Sequence, residues 1–289
     1  MSSDDVVSVV MPVYNGAGTL DDQLAALAGQ DYDGRWELVV ADNGSDDGSV
    51  ALATAWGDRF PSLRVIDASA RRGGPAADNI GAAAAIGSVL LFCDQDDIVQ
   101  PGWLAAMASA LQDHDFVVGR NEFASLNPME PHAGVVRSAE PNDPGDQYGF
   151  LPFGLSCNLG VSRRAFEAVG GFDEDIPGAD DVDLCWRVQL AGYPMWSESG
   201  AVVAKRRRRT AAGVWRQHFN FGVHDVMLYG KYAGRGMPRR LRRAGRRYAW
   251  LVVHVMDLAT PARRRSWVRV AAAQAGRLVG SLRSRTLYL

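Results

Sequence analysis

The sequence has 289 residues, of which 47% are hydrophobic and 22% charged, and these values exclude a collagen-like, coiled-coil or wholly disordered chain. The net charge of −2 conceals an asymmetry: residues 1–204 carry 10 arginines and no lysine against 31 acidic side chains, whereas residues 205–289 carry 21 basic and 2 acidic side chains. We therefore expect an acidic body and a basic tail that meets anions such as phosphate, nucleic acid or a lipid surface.

Apolar runs alternate with helical periodicities over residues 6–119. Strands are predicted at Val6–Val13, Glu37–Ala41, Arg64–Asp67, Ser88–Cys93 and Phe116–Gly119. Helices are predicted after Thr19, over 47–60, at Ala76–Ile86 and over 101–112. This alternation predicts an α/β protein with a parallel sheet that is covered by helices on both faces.

The rest of the chain is less regular. Residues 121–150 are polar and rich in proline and glycine, which is typical of an active-site loop or an insertion. A strand at Ser156–Val161 and helices at Arg163–Val169 and Asp180–Leu190 follow, and the chain from Val214 onward is helical and basic. We expect a first domain over residues 1–210 and a basic C-terminal helical region over 211–289 that packs on it.

Targeting and cysteine patterns indicate the setting of the chain. The acidic start lacks the basic region and cleavage site of a signal peptide, and the apolar run Tyr248–Met256 is too short to span a membrane. Cys93, Cys157 and Cys185 lie far apart without a CxxC pair, which argues against a zinc site and a disulfide framework and predicts buried thiols. The expected location is the cytoplasm, with contact at the inner face of the membrane left open.

Polar clusters follow three of the predicted strands, and a fourth opens a helix. They are Pro12–Asn15, Asp42–Ser45, Asp94–Asp97 and Asp180–Asp183. Ligands bind beyond the carboxyl ends of strands in an open parallel sheet, although each cluster alone is also compatible with a turn or a helix cap. The carboxylates of Asp94–Asp97 repel one another unless a cation neutralises them, and Mg²⁺ or Mn²⁺ held by one or two carboxylates and a substrate phosphate fits this pattern.

Four motifs stand in order along the first two-thirds of the chain. They are S-V-V-M-P-V-Y-N-G at the start, V-V-A-D-N-G-S-D-D-G-S after the second strand, L-L-F-C-D-Q-D-D ending at Asp97 and A-D-D-V-D-L-C-W-R ending at Arg187. Together they resemble family 2 glycosyltransferases of the GT-A fold. The resemblance implies an inverting transfer of a sugar from a nucleotide-diphosphate sugar, usually UDP-linked, to a hydroxyl group, assisted by Mn²⁺ or Mg²⁺.

The resemblance also implies which residues bind the nucleotide sugar. They are Pro12, Tyr14, Asn15, Asp42, Asn79, Asp94, Gln95 and Asn158. Tyr14 matches a motif that lies along the nucleotide base, and Asp42 matches an aspartate that accepts a hydrogen bond from the base. Asn158 matches a residue on the acceptor or donor-sugar side.

Metal binding and catalysis are implied for two acidic pairs. Asp94 and Asp96 match a D-x-D pair, whose first member tends to contact ribose or sugar and whose second member tends to bind the metal. Asp180 and Asp181 match an E-D pair whose second member is the general base. A carboxylate with an ordinary pKa of about 4 is ionised at pH 7, so we expect Asp181 to act without a shifted pKa.

Three positions depart from the family pattern. Asp78 replaces the arginine of the usual A-R-N-x-G helix motif, so the diphosphate contact is expected from Arg71 or Arg72. Asp180 shortens the first side chain of the E-D pair. Lys205 stands where the family often has a histidine, so a cation replaces a metal ligand. The absence of a Q-x-x-R-W motif and of spanning segments argues against a processive polysaccharide synthase.

Other interpretations stay open. One is a non-catalytic or degenerate GT-A nucleotide-binding protein, and another is a sugar nucleotidyltransferase, which the lack of a basic residue in Pro12–Gly18 disfavours. The arginine runs Arg206–Arg209, Arg239–Arg247 and Arg263–Arg265 form either a solvated helical face or a peripheral anchor on anionic lipid. Nucleic-acid binding is disfavoured because the acidic body would repel a polyanion. The acceptor is expected to be a glycan, a lipid-linked molecule or a small molecule.

Overall fold

The structure is a computed structural model that describes residues 6–127, 148–208, 210–239 and 241–289. The described chain divides into two compact units. Unit 1 comprises residues 6–127 and 151–206, and unit 2 comprises residues 148–150, 207–208, 210–239 and 241–289. Most of the predicted loop 121–150 lies outside the described residues, as do Arg209 and Arg240 of the basic runs.

Unit 1 is built on an eight-stranded sheet. In chain order the strands are β1 (Val7–Val13), β2 (Trp36–Asp42), β3 (Leu63–Asp67), β4 (Val89–Phe92), β5 (Ile98–Val99), β6 (Phe116–Glu122), β7 (Leu159–Ser162) and β8 (Trp196–Ala204). They lie side by side in the order β3-β2-β1-β4-β7-β6-β8-β5. Nearly every residue of β1, β2 and β4 is buried, which explains the continuous apolar runs that reveal these strands in the sequence.

The sheet is mixed, with four parallel and three antiparallel pairings, which agrees with the mostly parallel sheet that the GT-A resemblance implies; the alternation of strands and helices alone did not predict the antiparallel pairings. β1 pairs in parallel with β2 and β4, and β2 pairs in parallel with β3. β7 instead runs antiparallel to both β4 and β6, while β8 is parallel to β6 and antiparallel to β5. A strand as short as β7 carries no sequence signal for its direction, because its direction is set by the elements around it.

Helices of unit 1 pack on this sheet. They are α1 (Leu20–Ala28), α2 (Ser49–Ala55), α3 (Gly74–Ala84), α4 (Trp103–Asp113), α5 (Arg163–Ala168) and α6 (Asp180–Leu190). Helix α3 approaches β1 closely, since a Cβ atom at Gly81 would lie 2.5 Å from Val10 Cγ1. Asp78 lies one turn before Gly81 on α3, so this close approach holds its side chain against the sheet.

The core of unit 1 lies between the sheet and its helices. Its fully buried side chains include Leu24, Leu38, Leu91, Trp103 and Met107. Burial of this apolar surface is the main favourable contribution to folding. The three cysteines are buried and unpaired, which confirms that they act as apolar core residues.

The carboxyl ends of β1, β2 and β4 meet at one edge of the sheet. Val13 at the end of β1 lies opposite Asp42 at the end of β2, and Val10 lies opposite Phe92 at the end of β4. The strand order reverses at β1, because β2 and β3 lie on one side of it and β4 on the other. Open α/β sheets bind ligands at such a switch point.

Unit 2 is helical, as the sequence predicts for the basic tail. Its helices are α7 (Ala211–Tyr232), α8 (Leu241–Val253) and α9 (Pro261–Ser284). Helices α7 and α9 touch at small residues, since a Cβ atom at Gly222 would lie 2.1 Å from the Ala273 carbonyl oxygen. The buried Asp225 Oδ2 accepts a hydrogen bond from Arg277 Nη2 at 2.6 Å, which joins the same two helices. Within the described ranges, no helix is both long and apolar enough to cross a membrane.

Candidate active site

A pair of hydrogen bonds joins the segments that follow β1 and β4. The backbone N–H of Tyr14 donates to Gln95 Oε1 at 2.9 Å, and Gln95 Nε2 donates to the carbonyl oxygen of Tyr14 at 2.9 Å. The Tyr14 ring is 47% exposed, and Arg72 lies over it at 5.1 Å from the ring centroid while donating to its hydroxyl at 2.9 Å. An open aromatic ring beside an arginine can stack on a nucleotide base.

The segments after β1 and β2 are joined in a similar way. The Asn15 N–H donates to Ser45 Oγ at 3.0 Å, and Asn15 Oδ1 accepts from the Asp46 N–H at 2.9 Å. Asn15 has a φ of +47°, a conformation that asparagine tolerates better than most residues. Pro12, near the end of β1, pairs with Ala41 of β2. The sequence-predicted residues 12, 14 and 15 therefore line the same edge as Asp42.

Asp42 orders the turn that follows it. Its Oδ2 accepts hydrogen bonds from the N–H groups of Gly44 and Ser45, each at 3.1 Å. The interpretation of Asp42 as a turn residue is therefore supported by its bonds, and a carboxylate oriented in this way can still accept a hydrogen bond from a ligand through its remaining lone pairs.

Asn43 is a structural residue that sequence analysis missed. Its Nδ2 donates to the carbonyl oxygens of Ala68 at 2.6 Å and Arg71 at 2.8 Å, and its Oδ1 accepts from the Gly73 N–H at 2.9 Å. These bonds fix the segment that carries Arg72 beside Tyr14. The sequence signal for Asn43 was its position directly after a buried strand, and the sequence analysis interpreted this segment only as a turn.

A cationic side chain lies between two carboxylates after β4. Lys205 Nζ is 2.8 Å from Asp97 Oδ2 and 3.2 Å from Asp94 Oδ2, and the N–H of Arg206 donates to Asp97 Oδ1 at 2.8 Å. The carbonyl oxygen of Asp96 accepts from Arg206 Nε at 3.0 Å. Burial raises the pKa of Asp97 to about 6, although the charge of Lys205 acts in the opposite direction.

Two acidic residues open helix α6. Asp180 is buried, and its Oδ1 accepts a hydrogen bond from the Gly178 N–H at 2.6 Å. Burial raises the pKa of Asp180 to about 6, and burial together with the negative charge of Asp180 raises the pKa of Asp181 to about 7. The expectation that Asp181 has an ordinary pKa is therefore wrong, because the sequence does not reveal how far the pair is withdrawn from water.

Asp78 is another buried carboxyl group of unit 1. In the part of the chain that the structure describes, its Oδ1 has no hydrogen-bond partner. Burial, followed by the charges of Asp94 and Asp180, raises the pKa of Asp78 well above its usual range. These electrostatic interactions couple carboxyl groups from α3, the loop after β4 and α6.

Three of the candidate residues, Asn79, Arg71 and Asn158, form hydrogen bonds or salt bridges with other parts of unit 1. Asn79 Nδ2 donates to Phe172 O at 3.0 Å and to Glu174 Oε1 at 2.8 Å, which holds the segment before α6. Arg71 forms salt bridges with Glu174 and Asp175, so of the two arginines considered for a diphosphate it is Arg72 that lies beside Tyr14.

Asn158 is also used inside the protein. It is fully buried, its Oδ1 accepts from Trp103 Nε1 at 2.8 Å, and its Nδ2 donates to the carbonyl oxygens of Arg120 and Ala201, each at 3.1 Å. The side-chain N–H groups of Asn158 and Asn79 are thus occupied, and both residues position neighbouring segments.

Only some of the potential ligand atoms in and near the acidic loop Asp94–Asp97 are suited to bind a divalent ion. Ligand atoms of Asp94, Asp97 and Cys157 lie within 4.8 Å of one another. Burial raises the pKa of the Cys157 thiol well above its usual range, so it stays neutral, and Lys205 is bonded to one oxygen of each carboxylate. Lys205 does not bond to Asp94 Oδ1, and Asp94 and Asp96 are the two carboxylates considered for Mg²⁺ or Mn²⁺, which suit such a pair when substrate phosphates complete the shell.

Comparison with known proteins identifies the family of this chain. The family model described as "Glycosyl transferase family 2" matches residues 8–170, which is more than half of the chain. The chain belongs to glycosyltransferase family 2. The resemblance given by its four motifs is thereby confirmed, and the chain is a glycosyltransferase enzyme.

Several named glycosyltransferases resemble this chain in sequence. Glycosyltransferase AglE of Haloferax volcanii is 29% identical over 232 residues, which cover 77% of this chain and 74% of AglE. The pre-mycofactocin glycosyltransferase of Mycobacterium tuberculosis is 28% identical over 216 residues, which cover 70% of this chain and 43% of that protein. This chain therefore spans less than half of the second relative.

Solved structures confirm the fold expected for glycosyltransferase family 2. The mannosyltransferase PcManGT from Pyrobaculum calidifontis, in complex with GDP-Man and Mn²⁺, superposes with a TM-score of 0.70 at 20% identity, covering 95% of this chain and 86% of that chain. S. aureus TarS 1–349 in complex with UDP-GlcNAc has a TM-score of 0.59 at 15% identity, covering 98% and 93%. The fold of this chain is the GT-A fold that the sequence predicts.

Proposed function

We propose that this enzyme transfers a sugar from a nucleotide-diphosphate sugar, with UDP as the first candidate carrier, to a hydroxyl acceptor with inversion at the anomeric carbon. The observations that support the proposal are the electrostatic interactions among Asp78, Asp94, Asp180 and Asp181 and the hydrogen bonds through which Gln95 joins the Asp94 loop to Tyr14, at the edge where Val13 pairs with Asp42. The complexes of PcManGT with GDP-Man and of TarS with UDP-GlcNAc support a donor of this class.

The donor is proposed to lie across the ends of β1, β2 and β4. Tyr14 stacks on the base, and Asp42 accepts a hydrogen bond from it. Arg72, which lies over the Tyr14 ring, faces the phosphates. Asp94 and Asp96 hold a divalent ion, Mn²⁺ or Mg²⁺, which when bound offsets the charge that builds on the leaving diphosphate.

Asp181 is proposed as the general base. Its carboxylate takes the proton of the acceptor hydroxyl as that oxygen forms a bond to the anomeric carbon. The bond between the anomeric carbon and the phosphate oxygen breaks, and its electron pair leaves with the nucleoside diphosphate. A pKa near 7 gives a stronger base than an ordinary aspartate, while leaving a large ionised fraction at neutral pH.

Replacement of the base tests the proposal. Asp181→Asn should bind UDP or GDP as the wild type does but lose about 100-fold or more in transfer, a typical effect of removing a general base. Turnover is measured as nucleoside diphosphate released from a panel of UDP- and GDP-sugars. Asp113→Asn, at an exposed position near the end of α4, is the matched control and should transfer normally.

The same assay separates this function from the alternatives. A degenerate GT-A binding protein would bind nucleotides with no turnover by the wild type. A sugar nucleotidyltransferase would release pyrophosphate from a nucleoside triphosphate and a sugar phosphate. Full transfer by Asp181→Asn would assign the base to another residue.

The acceptor is proposed to be a glycan, a lipid-linked molecule or a small molecule, and the enzyme is proposed to work at the inner face of a membrane. Support for the membrane contact comes from the end of α8. Val252, Val253 and Met256 are exposed there, and exposed arginines precede them on α8 and follow them at the start of α9. Aliphatic side chains flanked by arginine suit insertion among anionic lipids.

A further inference from the structure

Lys205 is held in place by its own backbone. It follows β8 directly, its N–H donates to the carbonyl oxygen of Glu122 at 2.8 Å, and its carbonyl oxygen accepts from Asn127 Nδ2 at 2.9 Å. The side chain is only 22% exposed, and its ammonium group reaches Asp97 and Asp94. It is therefore a fixed cation inside the site, unlike a mobile surface lysine.

The surroundings of this ammonium group are strongly acidic. Asp94 and Asp97 bond to it directly, and its charge also acts on Asp181, whose pKa it lowers against the effects of burial and Asp180. A nucleoside diphosphate adds further negative charge to the same edge. Without a resident positive charge the phosphates would be repelled, because like charges at this range interact strongly in a partly dry site.

Lys205 also forms hydrogen bonds with carboxylate oxygens of the loop Asp94–Asp97 that would otherwise attract a divalent ion. Asp94 Oδ2 and Asp97 Oδ2 both face the ammonium group, and the neighbouring Cys157 thiol is buried. Lys205 therefore takes one oxygen of Asp94 and one of Asp97 away from an ion at this loop. Such a site depends on the phosphates of the donor for the rest of its ligands.

We propose that Lys205 is a built-in counter-ion for the donor diphosphate, so that the enzyme binds a nucleoside diphosphate without a divalent ion and an added ion raises the affinity only a few-fold. This inference rests on the proposed donor site. It assigns to one side chain part of the charge neutralisation that a metal would otherwise supply alone.

Titration calorimetry with UDP, GDP and dTDP, in EDTA and in Mn²⁺, tests the inference on the full chain. The wild type should bind at least one of the three in EDTA, with an affinity within about fivefold of that in Mn²⁺. Lys205→Met, which keeps the length of the side chain but removes its charge, should lose about tenfold or more in EDTA, the value of one charge-assisted hydrogen bond. Mn²⁺ should restore part of that loss.

Two further variants make the test specific. Lys205→Arg keeps the charge and should retain most of the binding in EDTA. The chain has one other lysine, Lys231 on α7 in unit 2, and Lys231→Met makes the same chemical change outside the site and should bind as the wild type does. Melting curves of all variants check that each is folded.

The outcomes separate this inference from the proposed function. Binding by the wild type only in Mn²⁺ would overturn the role of Lys205 and leave the donor site standing. Equal binding by Lys205→Met and the wild type in EDTA would overturn it too, as would a loss in Lys205→Arg as large as in Lys205→Met. Failure of the folded wild type to bind any of the three nucleotides in either buffer would overturn the donor site and Lys205 with it.

Discussion

Asp181 shares the first turn of α6 with Asp180; Asp180 is buried and Asp181 is half-buried. Ionising one carboxyl next to the other is costly in such a place, so the first to lose its proton raises the pKa of its neighbour. The acid–base behaviour of the enzyme should therefore belong to the pair, and pH should control transfer within the neutral range.

The pH dependence of kcat/KM should show this pair. Transfer requires ionised Asp181, so kcat/KM should rise as the pH increases and level off above about 7, with a slope of about tenfold per pH unit on the acidic side. Asp180→Asn removes the neighbouring charge and should move the midpoint to lower pH. A midpoint near pH 4 in the wild type, or one that Asp180→Asn leaves in place, would contradict this assignment.

Asp78 offers a second test at the level of one residue. Its pKa is higher in the folded than in the unfolded protein, so the folded state keeps a proton that the unfolded state loses above about pH 4, and stability falls as the pH rises. Asp78→Asn keeps the shape without the titration. At pH 8 it should melt about 2–4 °C higher than the wild type, which corresponds to about 1 kcal/mol.

Melting curves from pH 5 to pH 9 check this expectation. The gap between Asp78→Asn and the wild type should widen as the pH rises, whereas Asp113→Asn, on an exposed part of α4, should run parallel to the wild type. A gap that stays constant with pH would show that Asp78 is ionised in the folded protein at all of these values.

Residue types and spacing were sufficient to name most of the candidate site, but not to describe its chemistry. The motifs pointed to Asp94, Asp96 and Asp181 because their family resemblance is local in sequence. The raised pKa of Asp181 and the bonds of Lys205 depend on burial and on contacts between residues about a hundred positions apart. Such properties follow from the folded structure, and no local pattern predicts them.

At the scale of elements, the bounds of a strand or helix were predicted best where burial leaves a clear pattern in the sequence. Strands β1, β2 and β4 and helix α6 were found at or within a few residues of their observed bounds, since a continuous apolar run or an acidic first turn marks each of them. The two-residue β5 is too short to show a period. β8 carries Trp196, Ser197 and Glu198 on an exposed segment, so its apolar signal is confined to its last residues.

Helix α8 presents an exposed stripe that changes character along its length. Arg242 and Arg246 occupy the first part of the helix, Val253 is its last residue, and Met256 follows just beyond its end; Val253 and Met256 have 74% and 77% of their surface exposed. An apolar tip of this kind is costly in water unless something covers it. A lipid surface can cover the tip while its anionic headgroups meet the arginines.

Vesicle flotation tests this contact. The wild type should float with vesicles of phosphatidylcholine and phosphatidylglycerol and much less with phosphatidylcholine alone. Val253→Asp with Met256→Asp should weaken binding to the mixed vesicles about tenfold or more, because two apolar side chains no longer enter the lipid. Leu282→Asp, at a position on α9 that is 80% exposed, is the matched control and should float normally. Equal flotation of the double variant and the wild type would rule out the α8 tip as the contact.

At the scale of the whole molecule, opposite charges are sorted along the chain. Unit 1 contains most of the acidic residues and every candidate site residue, and unit 2 contains most of the basic ones. The same sorting is visible in the composition, from which the sequence analysis predicted an acidic body and a basic tail. Composition could not predict the position of Lys205. This residue begins the basic segment of the sequence, but it belongs to unit 1 and lies inside the acidic site.

The paired amide bonds between Tyr14 and Gln95 have a consequence for thermodynamic linkage. Gln95 lies between Asp94 and Asp96. A base that stacks on the Tyr14 ring in the proposed donor complex should therefore also restrict the motion of the loop proposed to bind the ion. Whatever the base gains from the presence of the ion, the ion must gain equally from the presence of the base. The free nucleoside, which has no phosphates, should therefore raise the affinity of the enzyme for Mn²⁺.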